Sequence, residues 1–349
     1  MPAMRSIQLV RRLVSGLGAV GGAVTGLAVG VSPALAHGAV PAEPPTASSL
    51  LLAWTLEPVP TLAIAASVGW WLWAVRRINA AHPANPVPRQ RTVAFLAAML
   101  ALAFALTSGI ERYDTTLFSV HMVQHVLLAL VVAPLIALAA PITLILRLSS
   151  AAMRRRWVLP ILHSWAMRVL AFPVTAWILF AAVMWGTHFS GLFEAALEDP
   201  LVHDLEHALF LWSALLFWWP AVGPDPAPWR IGYPVRIAYL FLQMTQNTFL
   251  AFVILGAPAV LYAHYVSLGR PYGIDPLADQ QLAAGVMWIA GDAIFLAAIM
   301  LLVVGWMRAD SRGLARSDRQ AGIDLAQIRI REGRLAERLA EERGDIAGS

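Results

Sequence analysis

The sequence contains no cysteine and no lysine. Without cysteine there can be no disulfide, no thiolate metal site and no Cys-X-X-Cys redox pair, so any metal must be held by His, Met, Asp, Glu or backbone atoms. Without lysine, all 25 basic side chains are arginines. Charge of either sign is scarce, at 13% of 349 residues against 59% hydrophobic, which excludes an ordinary soluble domain. Repeated apolar runs of about 20 residues match a hydrocarbon slab roughly 30 Å thick. The expected fold is therefore all-α: a polytopic transmembrane helix bundle with seven spans after a signal-like N-terminal segment. The basic balance then belongs to membrane topology, and no nucleic-acid partner is implied.

Arg5, Arg11 and Arg12 precede an apolar run, Leu13–Val31, and the small-residue string Ala34-Leu35-Ala36. That order reads as a secretory signal peptide over residues 1–36, cut before His37, with an uncleaved extra helix as the alternative. Residues 37–57 form an extracytoplasmic lead-in, 58–307 the seven-helix membrane domain and 308–349 a charged cytoplasmic tail. The spans are expected near 58–75, 92–110, 117–140, 169–188, 201–220, 236–258 and 281–306. With His37 outside, the inner loops hold Arg76, Arg77, Arg89, Arg91, Arg147, Arg154, Arg155, Arg156, Arg168, Arg230 and Arg236, and the outer loops only Arg112 and Arg270. This is the positive-inside bias of a multi-pass membrane protein.

Helix punctuation agrees. Asp199-Pro200 and Asp275-Pro276 each set a capping carboxylate before a proline at the first helical position, and Glu57-Pro58 repeats the pattern more weakly. Pro134 predicts a kink in the inner half of the third span. Trp70, Trp71, Trp73, Trp218 and Trp219 fall near inner ends and Trp54 and Trp288 near outer ends, as in aromatic belts. In the tail, Ile323, Leu325, Ile328, Leu335 and Leu339 suggest at best an amphipathic helix that touches anionic lipid.

Two histidine pairs stand out, His121-Met-Val-Gln-His125 and His203-Asp-Leu-Glu-His207. Four residues is about one helical turn, so each pair projects two imidazoles from one helix face, with Cβ atoms roughly 5–6 Å apart. On the expected topology both pairs, together with His188, lie at the outer ends of three spans; His264 and His37 lie outside as well. His82 and His163 fall in inner loops. Polar groups in a bilayer normally face the bundle interior or each other, so the cluster reads as a metal site made by His121, His125, His188, His203 and His207. Interhelical hydrogen bonding alone is the plainer alternative.

Imidazole suits several metals, while thioether favours Cu(I). Met184 shares a face with His188, Met122 adjoins His121, and Met287 lies in the outer part of the seventh span; these, with Asp279 and His264, are possible additional ligands, although methionine also fills gaps in packed helices. Asp204, Glu206, Gln124 and Asp279 are candidates to accept a ligand's other N–H, with Asp204 and Glu206 directed to other faces of their helix than the histidines. Asp279 could equally cap the last span. Asp292 lies near mid-membrane and calls for a partner or a proton. His37, if it becomes the first residue, could chelate copper with its amine and ring.

The string His121–His125, with Ala133-Pro134-Leu135 and Ala140-Pro141, then Met184-Trp185-Gly186-Thr187-His188, His203–His207, Trp218-Trp219-Pro220, and Asp279-Gln280-Gln281-Leu282-Ala283 ahead of Met287-Trp288, resembles the CtaG family of seven-helix cytochrome c oxidase assembly factors. The likeness covers about residues 50–307. The cysteine-bearing, single-span copper chaperone of the same name is a different protein. The resemblance implies a factor, not an enzyme, that matures a haem-copper oxidase, handling copper on the extracytoplasmic side with an oxidase subunit or copper chaperone as partner. A copper transporter and a haem-binding redox protein remain as alternatives. A di-iron membrane oxygenase is disfavoured, because its histidine boxes typically contain adjacent histidines and face the cytoplasm.

Overall fold

The computed structural model describes residues 40–55 and 57–347, with side chains at 314–316 and 336–347 left undescribed; the leader and His37 lie outside the described residues. Every span that apolar patterning marks out is a helix: α1 Pro58–Ala81, α2 Arg89–Thr107, α3 Phe118–Val126, α4 Ala133–Ala139, α5 Pro173–Phe189, α6 Gly191–Glu198, α7 Pro200–Val222, α8 Tyr233–Leu255 and α9 Pro276–Ala347. Among the described residues, six helices or continuous helical runs are long and apolar enough to cross a membrane, and the pair α5–α6, bent by 69°, makes a seventh. The protein is an all-α polytopic membrane bundle.

The expected caps are present at two of three places. Asp199 accepts the N–H groups of Leu201 and Val202 at 2.8 and 3.3 Å, and Asp275 that of Ala278 at 3.3 Å. Glu57 precedes α1 but its side chain caps nothing; Pro60, the third residue of the helix, has no N–H to give, and the longer Glu side chain is a poorer Asx-type cap.

The third span is interrupted twice. Between α3 and α4 the residues Leu127–Val132 form a π-helical turn, and Ala140 adopts the left-handed conformation (φ 60°, ψ 60°) before a fresh helix starts at Pro141. The wider register has a local cause. The Ala133 N–H reaches back five residues to the Leu128 carbonyl, and Pro134 has no N–H to continue that pattern to Ala129. The indole N–H of Trp218 donates to the Ala129 carbonyl instead, at 2.9 Å.

Two tryptophans assigned to aromatic belts are therefore core residues. Trp71 is fully buried and stacks on Phe95 at 4.0 Å, and Trp218 is buried against Phe295 at 5.5 Å. Trp70 and Trp73 are exposed, as a belt requires. In the bundle α7 is the hub: it packs against α4, α5, α6 and α8, so its N-terminal turns, which carry His203 and His207, are enclosed on several sides. The compact unit that carries the histidines ends at Leu296; the remainder of α9 belongs to a second unit, where Ile323, Leu325, Ile328, Ile330 and Leu335 are exposed.

Candidate metal centre

All five histidines named from the two pairs and His188 are buried, and their rings meet. His121 and His125 lie 4.3 Å apart centre to centre and His203 and His207 4.1 Å, as i,i+4 neighbours must. Across the helices, His121 is 5.4 Å from His203, His125 is 5.8 Å from His207 and His188 is 6.5 Å from His125. Phe193 of α6 and Phe210 of α7 pack against these rings, Phe193 4.8 Å from His121 and Phe210 4.1 Å from His125. The bend at Ser190, whose hydroxyl accepts the Leu192 N–H, is what turns α6 over the cluster.

Two carboxylates enter with them. Glu206 places Oε2 3.8 Å from Nε2 of His121 and 3.9 Å from Nε2 of His125, and Asp114 places Oδ2 3.4 Å from Nε2 of His203. Asp114 sits in the short link between the second and third spans, held by the Thr115 N–H on Oδ1 at 2.5 Å and by Tyr265, whose hydroxyl donates to the Asp114 carbonyl at 3.1 Å. Burial pushes the Asp114 carboxyl well above the usual carboxylate range. Burial, with Asp114 adding to it, likewise raises the Tyr265 phenol. A buried carboxylate of this kind carries either a proton or a cation.

The resulting donor sets are Asp114, His121 and His203, and His121, His125 and Glu206, each with its ligand atoms within 4.8 Å of one another. With bonds of about 2.1 Å, two donors on one ion stand at most about 4.2 Å apart, so the measured carboxylate–imidazole separations already fit and the widest pairs need to close by roughly half an ångström. Both ring nitrogens of His121 and of His125 and both oxygens of Glu206 are buried without a hydrogen-bond partner among the described residues. Buried polar atoms are seldom left so, and a metal ion would take up one nitrogen of each ring together with a carboxylate oxygen.

His188 is poised from the side. Its Nδ1 faces the Met184 carbonyl at 2.6 Å, and because a carbonyl only accepts, Nδ1 carries the proton and Nε2 keeps its lone pair. That Nε2 has no partner among the described residues.

The other sequence candidates make contacts of their own. Asp279 lies on α9 but caps α3 rather than its own helix, accepting the Phe118 and Ser119 N–H groups at 2.6 and 3.4 Å and the Ser119 hydroxyl. His264 gives its Nε2 to the Thr115 carbonyl at 2.8 Å and its N–H to Glu194 at 2.6 Å, bracing the link that holds Asp114. The Met184 sulfur accepts from Gln243 at 3.4 Å, the Met287 carbonyl accepts from Asn247 at 3.1 Å, and Met122 is buried. Gln124 donates to the Ala105 carbonyl and to Glu111. Asp204 faces outward, whereas Glu206, expected to point away from the histidines, points into their midst. Asp292 has its partner, the Thr248 hydroxyl at 2.8 Å. His82 and His163 are exposed, as expected of loop residues.

The protein is thus a polytopic membrane bundle that encloses an imidazole–carboxylate cluster whose groups could hold a metal ion. Residues 69–309 match the family described as cytochrome c oxidase caa3 assembly factor (Caa3_CtaG), and the chain belongs to that family. It is 32% identical over 296 residues to an uncharacterized protein of Mycobacterium bovis and to one of Mycobacterium tuberculosis, covering 81% of this chain and 44% of each relative. A third, from Mycobacterium leprae, is 31% identical over 287 residues, 80% of this chain and 43% of the relative. The chain thus spans less than half the length of these relatives. No solved structure matches it.

Proposed function

We propose that the protein serves oxidase assembly by holding copper in the buried cluster, with Asp114, His121, His125, His203 and Glu206 as ligands and His188 and His207 completing the set. The observation that carries the reading is the pair of donor triads sharing His121, whose ring nitrogens are buried and unpartnered. Mixed nitrogen and oxygen donors favour a divalent ion, and among first-row divalent ions copper binds such sites most tightly. Two carboxylates also neutralise a doubly charged ion, which a buried site needs. The copper is cargo, taken up and passed on at the face of a bacterial plasma membrane expected to be extracytoplasmic, to an oxidase subunit or from a copper chaperone. Neither role calls for turnover chemistry.

The haem alternative fits less well. Bis-histidine ligation separates two imidazoles by a macrocycle, whereas these rings pack on one another and on Phe193 and Phe210.

Copper analysis of purified protein tests the proposal. One to two ions per chain are expected, and the double variant His121→Ala, His203→Ala should hold none; wild-type copper content in that variant, or a haem Soret band in the native protein, would reject it.

A further inference from the structure

At the other end of α7, some 20 Å along the helix from His207 at 1.5 Å per residue, lies a second polar feature with no part in the cluster. A cavity of about 220 Å³ opens between the last turn of α7 and the first turn of α8, and Trp219, Gly223, Asp225, Trp229, Arg230 and Arg236 line it. The loop that forms it is fixed. Asp225 accepts the Ile142 and Thr143 N–H groups at 2.9 and 2.7 Å and the Thr143 hydroxyl at 2.5 Å, and the Trp229 indole donates to the Arg168 carbonyl at 2.8 Å. Gly223 is under the Trp219 ring, where a Cβ would come within 2.9 Å of the indole and 2.6 Å of the Trp219 carbonyl.

The chemistry of the walls is one-sided. Neither Arg230 nor Arg236 has a carboxylate partner among the described residues; the Arg236 Nε donates to the Ile231 carbonyl at 2.9 Å and its guanidinium lies over the Tyr233 ring at 5.6 Å, which holds the group in place. The Trp219 indole N–H is buried without an acceptor among the described residues. Asp225 is the one acid on the walls, and its oxygens are taken up by the three bonds to Ile142 and Thr143. Unpaired donors and a surplus positive charge ask for an oxyanion. The rim is apolar: Phe172, which meets Trp229 edge to face at 5.2 Å, and Val235 are exposed beside it.

We propose that this cavity binds a phosphate group through Arg230 and Arg236, the natural source being the headgroup of an anionic phospholipid whose chains lie along the exposed apolar rim. Basic recesses between membrane helices take phospholipid headgroups in this manner.

The full chain in neutral detergent suffices to test this, by native mass spectrometry with phosphatidylglycerol, phosphatidylcholine or inorganic phosphate added. Phosphatidylglycerol should bind wild type roughly 10-fold or more tightly than it binds Arg230→Gln, Arg236→Gln, with phosphatidylcholine alike on both. Competition by inorganic phosphate would place the recognition in the phosphate group; inorganic phosphate bound in an arginine-dependent way without any lipid preference would assign the site to the free anion. Equal binding of every probe to wild type and variant overturns the proposal. Arg230 is exposed, so Arg230→Gln alone, expected to weaken binding several-fold, keeps the test decisive if the double variant does not fold.

Discussion

Glu206 shows how a single side chain can be a burden to the fold and an asset to the site. Both of its oxygens are buried without hydrogen bonds among the described residues, and Oε2 stands 3.8 and 3.9 Å from two imidazoles. An unsatisfied buried carboxyl costs stability that an amide of the same shape costs less, while only the carboxylate offers a strong anionic donor. Glu206→Gln is therefore expected to leave the metal-free protein as stable as wild type or more so in a thermal melt, and to lower copper affinity at least 10- to 100-fold in a competition titration. Loss of stability with unchanged affinity would remove Glu206 from the ligand set. The histidines themselves were legible, since i,i+4 spacing fixes which faces coincide. Asp114 was not: it sits in a link with no periodicity, and it meets His203 only because the fold folds that link inward. Glu206 adjoins His207 in sequence, which suggests another face, yet its i,i+3 relation to His203 puts it on the same helix face.

At the level of elements, the site depends on how the third span begins and where its register changes. Asp279 reaches across from α9 to cap α3 one turn before His121, with three hydrogen bonds to Phe118 and Ser119. Asp279→Ala should cost about 1–2 kcal/mol of stability, as lost caps do, and should also weaken copper binding because His121 loses its fixed start. One turn below His125, the π-helical segment leaves the Ala129 carbonyl to the Trp218 indole. Trp218→Phe keeps the ring and removes the donor, and the orphaned carbonyl should lower stability by about 1–3 kcal/mol, read as a lower Tm. An unchanged Tm would mean that water or a shifted register satisfies that carbonyl. The span boundaries and caps could be read from apolar runs and Asp-Pro pairs. The π turn could not, because an i to i+5 ladder leaves no mark on an unbroken run of Leu, Ala and Val; Pro134 signalled only that some irregularity was due. For the same reason Trp71 and Trp218 passed as belt residues, since position along a helix says nothing about which face is turned to lipid.

For the molecule as a whole, the sided distribution of arginines decides what the buried cluster can serve. Arg76, Arg77, Arg89 and Arg91 lie at the connection of α1 and α2, and Arg230 and Arg236 at that of α7 and α8. The cluster lies at the other ends of these helices, among the first turns of α3 and α7 and the last turn of α5. If arginine-rich loops stay in the cytoplasm, the copper proposed for the cluster would enter and leave from the far side. The absence of cysteine makes this directly measurable, because an introduced thiol stands alone in these 349 residues. Ser267 is exposed in the link between α8 and α9, next to His264, and His82 is exposed at the end of α1. An impermeant maleimide added to intact cells is expected to label Ser267→Cys and to spare His82→Cys until the membrane is opened. The reverse pattern would turn the molecule over: the cluster would then face the cytoplasm, and delivery to an extracytoplasmic copper centre would require carriage across the membrane, which a site at one face does not by itself provide.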